Sequence, residues 1–274
     1  MPTGFDKFDH ILGDGLYEEL YTLGTISSLG KTASAMQIAD NITYTGTDVL
    51  IFALEMPKSD LVARSISRLT YKNCSINSMS LRKTVRGILN GKKYKNYSAE
   101  EKHLIEESIR QYKELADNIY IYEGIGDIGV NYIRKTLTNH IRFIKKRPVI
   151  IVDYLQLLAP YNERYTDKQN VDKAVLELKR ISRDYKIPII AISSFNRAAY
   201  GEKVSMEAFK ESGAIEYSSD VLVVGMQFKK QENTDEERKK EEREIEIKVL
   251  KNRNGMLGES YFRYYCKFNY FEEV

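Results

Sequence analysis

Leu20-Tyr21-Thr22-Leu23-Gly24-Thr25-Ile26-Ser27-Ser28-Leu29-Gly30-Lys31-Thr32 is the stretch whose reading decides the fold. It opens on an apolar run that reads as a strand over Leu20–Leu23 and passes through a loop. It then enters Lys31–Thr43, where apolar positions recur at three and four residues, the helical period. Strand, loop and helix in that order are what a phosphate loop requires. Successive backbone N–H groups point inward and the helix N-terminus adds partial positive charge. Lys31 can then reach β- and γ-phosphates, and the Thr32 hydroxyl can ligate Mg²⁺. The spelling departs from G-x-x-x-x-G-K-[ST] at its first position, which is Thr25; the glycine stands one residue earlier, at Gly24.

Outward from this loop, short aliphatic runs alternate with longer helical stretches, an α/β pattern. Val49–Leu54, Ile119–Tyr122, Val149–Val152, Ile189–Ile192 and Val221–Val224 are apolar on consecutive residues, as strands buried on both faces are, so the central sheet is expected to be mostly parallel. Helices are expected at Ser59–Leu69, Ala99–Leu115, Val130–Ile144 and Asn170–Tyr185. Ile245–Leu250 and Tyr261–Phe268 alternate around Asn254-Gly255, which predicts an antiparallel hairpin on the sheet edge. No linker separates two cores, so 1–274 reads as one domain, with a helical, basic segment at 71–118 and a charged excursion, helical or disordered, at 229–246.

The chain's 274 residues, 42% hydrophobic and 30% charged, exclude collagen-like and disordered classes. No apolar run approaches the ~20 residues of a membrane span. Met-Pro-Thr-Gly-Phe-Asp at the start has neither a basic nor an apolar signal region, so a cytoplasmic location is expected. Two cysteines, Cys74 and Cys266, form no disulfide framework or metal knuckle. The net charge of +3 is too small to indicate a polyanion partner, so any such partner must be read from local charge. Residues 61–99 hold nine basic side chains and no acidic one, which fits either a nucleic-acid surface or a solvated helical face.

Two carboxylates complete the candidate chemistry. Val149-Ile150-Ile151-Val152 ends in Asp153, at the strand end that faces the ligand crevice of open α/β sheets. Alone it would read as a turn residue; beside a phosphate loop it reads as the carboxylate of a nucleotide-bound Mg²⁺. Phe52-Ala53-Leu54-Glu55-Met56-Pro57 places Glu55 at the same sheet edge, suited to orient and deprotonate water, or else to cap the next helix.

In this order the motifs resemble the RecA-like ATPase domain of DnaB-type replicative helicases. Pro2-Thr3-Gly4-Phe5-Asp6 resembles the entry to that domain, Ser27–Thr32 its phosphate loop, Leu54-Glu55-Met56 its catalytic glutamate, and Val152-Asp153-Tyr154-Leu155-Gln156-Leu157 its Walker B strand. Lys210-Glu211-Ser212-Gly213-Ala214-Ile215-Glu216 resembles the segment approaching single-stranded DNA, and Lys251-Asn252-Arg253-Asn254-Gly255 the arginine-finger motif. The resemblance covers about 2–70 and 147–271. It implies a P-loop NTPase fold and ATP with Mg²⁺ as cofactors. Nucleotide contacts would come from Ser27, Ser28, Leu29, Gly30, Lys31, Thr32 and Ala33, with Arg64 a further phosphate contact. Mg²⁺ would be held by Thr32 and Asp153, and water activated by Glu55. Lys251 and Arg253 would reach the γ-phosphate held by an adjacent subunit, and Lys210, Glu211 and Gly213 would track the DNA backbone. It also implies a homo-oligomer, a hexameric ring in a longer parent protein, acting with primase or other replication proteins.

Ser193-Ser194 stands where the family has Ser-Gln, so Ser194 replaces the glutamine that senses the γ-phosphate. Two functions follow. One is a helicase motor that hydrolyses ATP at subunit interfaces to translocate on single-stranded DNA. The other is an ATP-regulated, DNA-binding recombination mediator or loader that unwinds nothing.

Overall fold

The computed structural model describes residues 1–25, 29–124, 126–194, 213–228 and 234–274. Their strands form one nine-stranded sheet in the order β3-β2-β4-β5-β1-β6-β7-β8-β9. The parallel part comprises β1 (Leu20–Thr25), β2 (Val49–Ala53), β3 (Ile119–Glu123), β4 (Val149–Asp153), β5 (Ile189–Ser194) and β6 (Val221–Phe228). Every residue of β1, β2 and β4 is buried. Helices cover both faces of these inner strands, so they carry no polar alternation; β3, expected to be buried on both faces, is instead the sheet's edge strand, half-exposed beyond Ile119.

The helices are α1 (Asp6–Leu12), α2 (Lys31–Thr43), α3 (Lys58–Lys72), α4 (Val85–Leu89), α5 (Gly91–Lys95), α6 (Ala99–Ala116), α7 (Val130–Ile144), α8 (Asp167–Tyr185), α9 (Gly213–Ser218) and α10 (Thr234–Lys239). The α8 helix starts three residues before the periodicity suggests. Thr166 accepts from the Gln169 backbone while the Gln169 side chain reaches back to Thr166, a capping box. The 71–118 segment folds as a 3-10 turn at Ile76–Leu81, the two short helices α4 and α5, and α6, whose Ser98 cap pairs reciprocally with Glu101.

The antiparallel edge corrects the sequence reading in two places. The expected hairpin is a three-stranded meander, β7 (Glu242–Asn252), β8 (Gly258–Tyr265) and β9 (Tyr270–Glu273). The run read as one strand to Phe268 breaks into a turn after Tyr265. Phe268 N bonds back to the Tyr265 carbonyl at 3.0 Å, and Asn269 adopts φ 53°, a left-handed value that asparagine tolerates. The charged excursion also ends earlier than its composition suggests, because Glu242–Glu246 already pairs with β8. Ile245, Ile247 and Val249 face the core while the intervening residues face outward, so the period of two prevails over the charge.

The site edge is defined by this topology. Strands β1, β2, β4 and β5 all point their C-terminal ends the same way, and β7 runs back antiparallel to β6, pairing Val221 with Asn252. No helix among the described residues is long and apolar enough to cross a membrane.

Candidate functional site

At the C-terminal edge of the parallel strands, Gly30 takes φ 91° and caps α2, with Ser34 N bonded to its carbonyl at 2.8 Å. Glycine is required twice over. The backbone is left-handed, and a Cβ would sit 2.7 Å from Cζ of Tyr264 and 2.9 Å from Cζ of Phe271. These two rings, from β8 and β9, stack at 4.1 Å and lie directly against Gly30. Gln37 of α2 fastens β9 to that helix, donating to the Phe271 carbonyl and accepting from its N–H, both at 2.8 Å. Neither ring nor glutamine carried a motif, so nothing in the sequence marked them as part of the site. Burial pushes the Tyr264 hydroxyl up to about 12.

Leu29 and Ala33 are buried beside the loop and fix its ends. Lys31 Nζ donates to Ser194 Oγ at 2.8 Å and lies 4.3 Å from the centre of the Tyr154 ring. Thr32 Oγ1 donates to Asp153 Oδ2 at 2.6 Å, while Asp153 Oδ1 is buried with no partner. Burial is the main reason the Asp153 carboxyl is raised above its ordinary range, and the Glu55 charge adds to it; the Thr32 bond and the charges of Lys31 and Arg64 oppose it. An orphaned acceptor beside a threonine hydroxyl fits a hard divalent cation. Among the described residues no three His, Cys, Asp or Glu side chains cluster, so phosphate and water would complete the shell, as Mg²⁺ prefers.

Glu55 lies two residues beyond β2, whose Ala53 is in register with Asp153, and its side chain is exposed. It therefore stands at the same end of the sheet as Asp153, with its side chain open to solvent. Arg64 of α3 is turned toward the β8–β9 turn, donating from Nη1 to Asn269 Oδ1 at 2.8 Å, while its Nε is buried without a partner. Arg68 binds the Asn269 carbonyl at 2.9 Å and pairs with buried Asp40. The same turn thus holds α3, and through it Arg64, against the site.

Lys251 and Arg253 are not brought to this edge. Asn252 pairs with Val221, and Val221 with Tyr21, so both side chains stand at the start of β1 while the phosphate loop leaves its end. Four strand residues at ~3.3 Å each put them on the order of 13 Å or more from their own Thr25 along the strand direction alone. Lys251 Nζ donates to the carbonyls of Glu216 (2.7 Å), Ser219 (2.8 Å) and Tyr217 (3.3 Å), closing the C-terminus of α9. Burial is the first cause lowering its ammonium from the ordinary value, followed by the neighbouring charges of Lys179 and Arg253. Arg253 is 58% exposed; its Nη1 lies 3.4 Å from Asp220 Oδ1, and its backbone N–H donates to the Asp220 carbonyl at 3.1 Å. Gly213 opens α9; Ser27, Ser28, Lys210 and Glu211 lie outside the described residues.

The sheet order, with Lys31, Thr32 and Asp153 gathered at the C-terminal ends of its parallel strands, is that of a RecA-like P-loop NTPase fold. Two solved structures share it: an ATPase domain (TM-score 0.84, 22% identity, covering 100% of this chain and 90% of that one) and a DnaB-like replicative helicase studied with its interactions with primase (TM-score 0.82, 23% identity, 98% and 61%). The family model for the DnaB-like helicase C terminal domain matches residues 1–273, and the chain belongs to that family. Among its relatives are the replicative DNA helicases DnaB of Helicobacter pylori (26% identical, 100% of this chain and 59% of the relative), DnaC of Bacillus subtilis (28%, 99% and 56%) and DnaB of Geobacillus stearothermophilus (29%, 99% and 56%). The chain thus spans somewhat more than half the length of these relatives.

Proposed function

We propose that the chain is the motor domain of an ATP-dependent replicative DNA helicase, hydrolysing ATP between subunits to move along single-stranded DNA. The observation that carries this is the placement of the candidate loop residues and of the candidate finger at opposite ends of the strands of a single sheet. Lys31, Thr32, Asp153 and Glu55 share the C-terminal edge, while Arg253 stands exposed at the other. A guanidinium that stands far from its own Lys31 and, though paired with Asp220, is more than half exposed fits a phosphate held by a neighbouring copy. The relatives bear replicative-helicase names, which favours a motor over a loader that only binds DNA.

In this reading the loop amides and Lys31 bind the phosphates. Thr32 and Asp153 would hold Mg²⁺, which would supply neutralisation of the phosphate charge when bound. Glu55 takes the proton of the attacking water. Arg253 of the adjacent copy meets the charge developing on the transferred phosphoryl group, and Lys251 orders the α9 end beside it. Gly213 begins the helix that follows the proposed DNA segment with Lys210 and Glu211. Single-stranded DNA, a homohexameric ring, primase as a partner and action in the cell interior belong to the same reading.

Mixed oligomers test it. Lys31→Ala and Arg253→Ala should each abolish most ATPase activity, and mixing them should restore a part, because some interfaces then unite an intact loop with an intact finger. Mixed assemblies that recover nothing would overturn the shared site.

A further inference from the structure

The end of β5 carries a polar connection that none of the roles above uses. Strand β4 pairs with β5 only as far as Val152 and Ala191, and beyond that the carboxamide of Gln156 takes over the ladder. Its Nε2 donates to Ser193 Oγ at 3.0 Å and to the Ser194 carbonyl at 3.4 Å, and its Oε1 accepts from Ser194 N at 3.4 Å. One side chain thus grips the backbone of Ser194 on both its N–H and its C=O, as a neighbouring strand would. The Ser194 hydroxyl, in turn, is the polar group that holds the Lys31 ammonium at 2.8 Å. Ser194 is the last residue of β5, and from it the chain runs on towards Lys210.

We propose that Gln156 and Ser194 are positioning residues that report phosphate occupancy through Lys31. This rests on the helicase reading. A glutamine at position 194 would be long enough to touch a γ-phosphate itself; a serine is not, and here its hydroxyl touches the phosphate-binding lysine instead. When nucleotide arrives, the Lys31 N–H groups turn to phosphate oxygens, because charge-assisted hydrogen bonds are roughly twice as strong as neutral ones. Ser194 Oγ then loses its donor, and the strand end that precedes the DNA segment is released or reset. Gln156 makes the response specific: it clamps Ser194 to the turn directly after Asp153, so that the ends of β4 and β5 move as one unit. Nucleotide and DNA are thereby coupled through a lysine rather than through a sensor side chain.

The coupling is measured directly on the 274-residue protein. Affinity for fluorescent oligo-dT is determined with and without a nonhydrolysable ATP analogue, and affinity for the analogue with and without oligo-dT. Linkage requires the two ratios to agree, and a working coupling is roughly 5–150-fold. Ser194→Ala and Gln156→Ala should bring both ratios to within about twofold of unity, while Ser194→Thr, which keeps the hydroxyl, should retain most of the wild-type ratio. A thermal melt of each variant checks that it is folded. A wild-type ratio undiminished in folded Ser194→Ala would overturn the relay while leaving the helicase reading intact. A wild-type protein whose two ligands ignore each other would overturn it as well. Failure of the wild type to bind either ligand would instead remove the helicase reading on which the relay rests.

Discussion

Replacing Gly30 by alanine should cost the nucleotide-free protein roughly 2–5 kcal/mol, from two sources that act at the same atom. Holding an L-residue in the left-handed region costs about 1–2 kcal/mol. The new methyl would also stand 2.7 and 2.8 Å from two ring atoms of Tyr264 and 2.9 Å from one of Phe271, which real Cβ contacts do not tolerate. Neither ring has room to withdraw: they stack on each other at 4.1 Å, and Phe271 packs edge-on against Phe262. Overpacking of this kind costs about 1–3 kcal/mol. Urea unfolding of wild type and variant measures the sum, and the thermal midpoint should fall by roughly 4–10 °C. A double-mutant cycle separates the parts. Tyr264→Leu removes both of the nearest ring atoms, so Gly30→Ala in that background should retain the conformational share and recover about 1–2 kcal/mol of the packing share. A loss below about 0.5 kcal/mol for Gly30→Ala, or strict additivity in the cycle, would refute the claim that the C-terminal strands pack tightly against Gly30.

Two further outcomes follow from the burial of particular groups. Arg68→Ala should destabilise by about 3–5 kcal/mol because it strands Asp40, whose second oxygen is already without a partner, in the interior; Lys92→Ala, exposed on α5, should stay within about 0.5 kcal/mol in the same urea titration. Tyr264 keeps its proton in the folded chain up to about 12, whereas the unfolded chain loses it near 10.0, so the folded state binds more protons in that window and stability falls as pH rises through it. Unfolding at about pH 9 and at successively more alkaline values should therefore show a smaller loss for Tyr264→Phe than for wild type, by up to about 2–3 kcal/mol; equal slopes would place the hydroxyl in solvent.

Much of the proposed site was legible along the chain because the residues proposed to bind phosphate are local in sequence. A strand, a loop and a helix start that are contiguous in sequence place Lys31 and Thr32 without reference to anything distant, and Asp153 and Glu55 are marked by the ends of apolar runs. Those runs are themselves legible because strands buried on both faces keep no polar alternation. What required the tertiary structure are the relations between positions far apart in sequence. The nine basic residues of 61–99 look alike in composition, yet Arg68 and Lys83 are buried in ion pairs with Asp40 and Glu101, Arg64 binds Asn269, Arg82 lies over Tyr71, and Lys92, Lys93 and Lys95 face water. Tyr264 and Phe271 read as ordinary strand residues until packing brings them under Gly30. Lys251 and Arg253 carried a recognisable motif, but only strand register shows that they stand at the edge opposite their own phosphate loop, because direction within a sheet is set by pairing and not by the residues that pair.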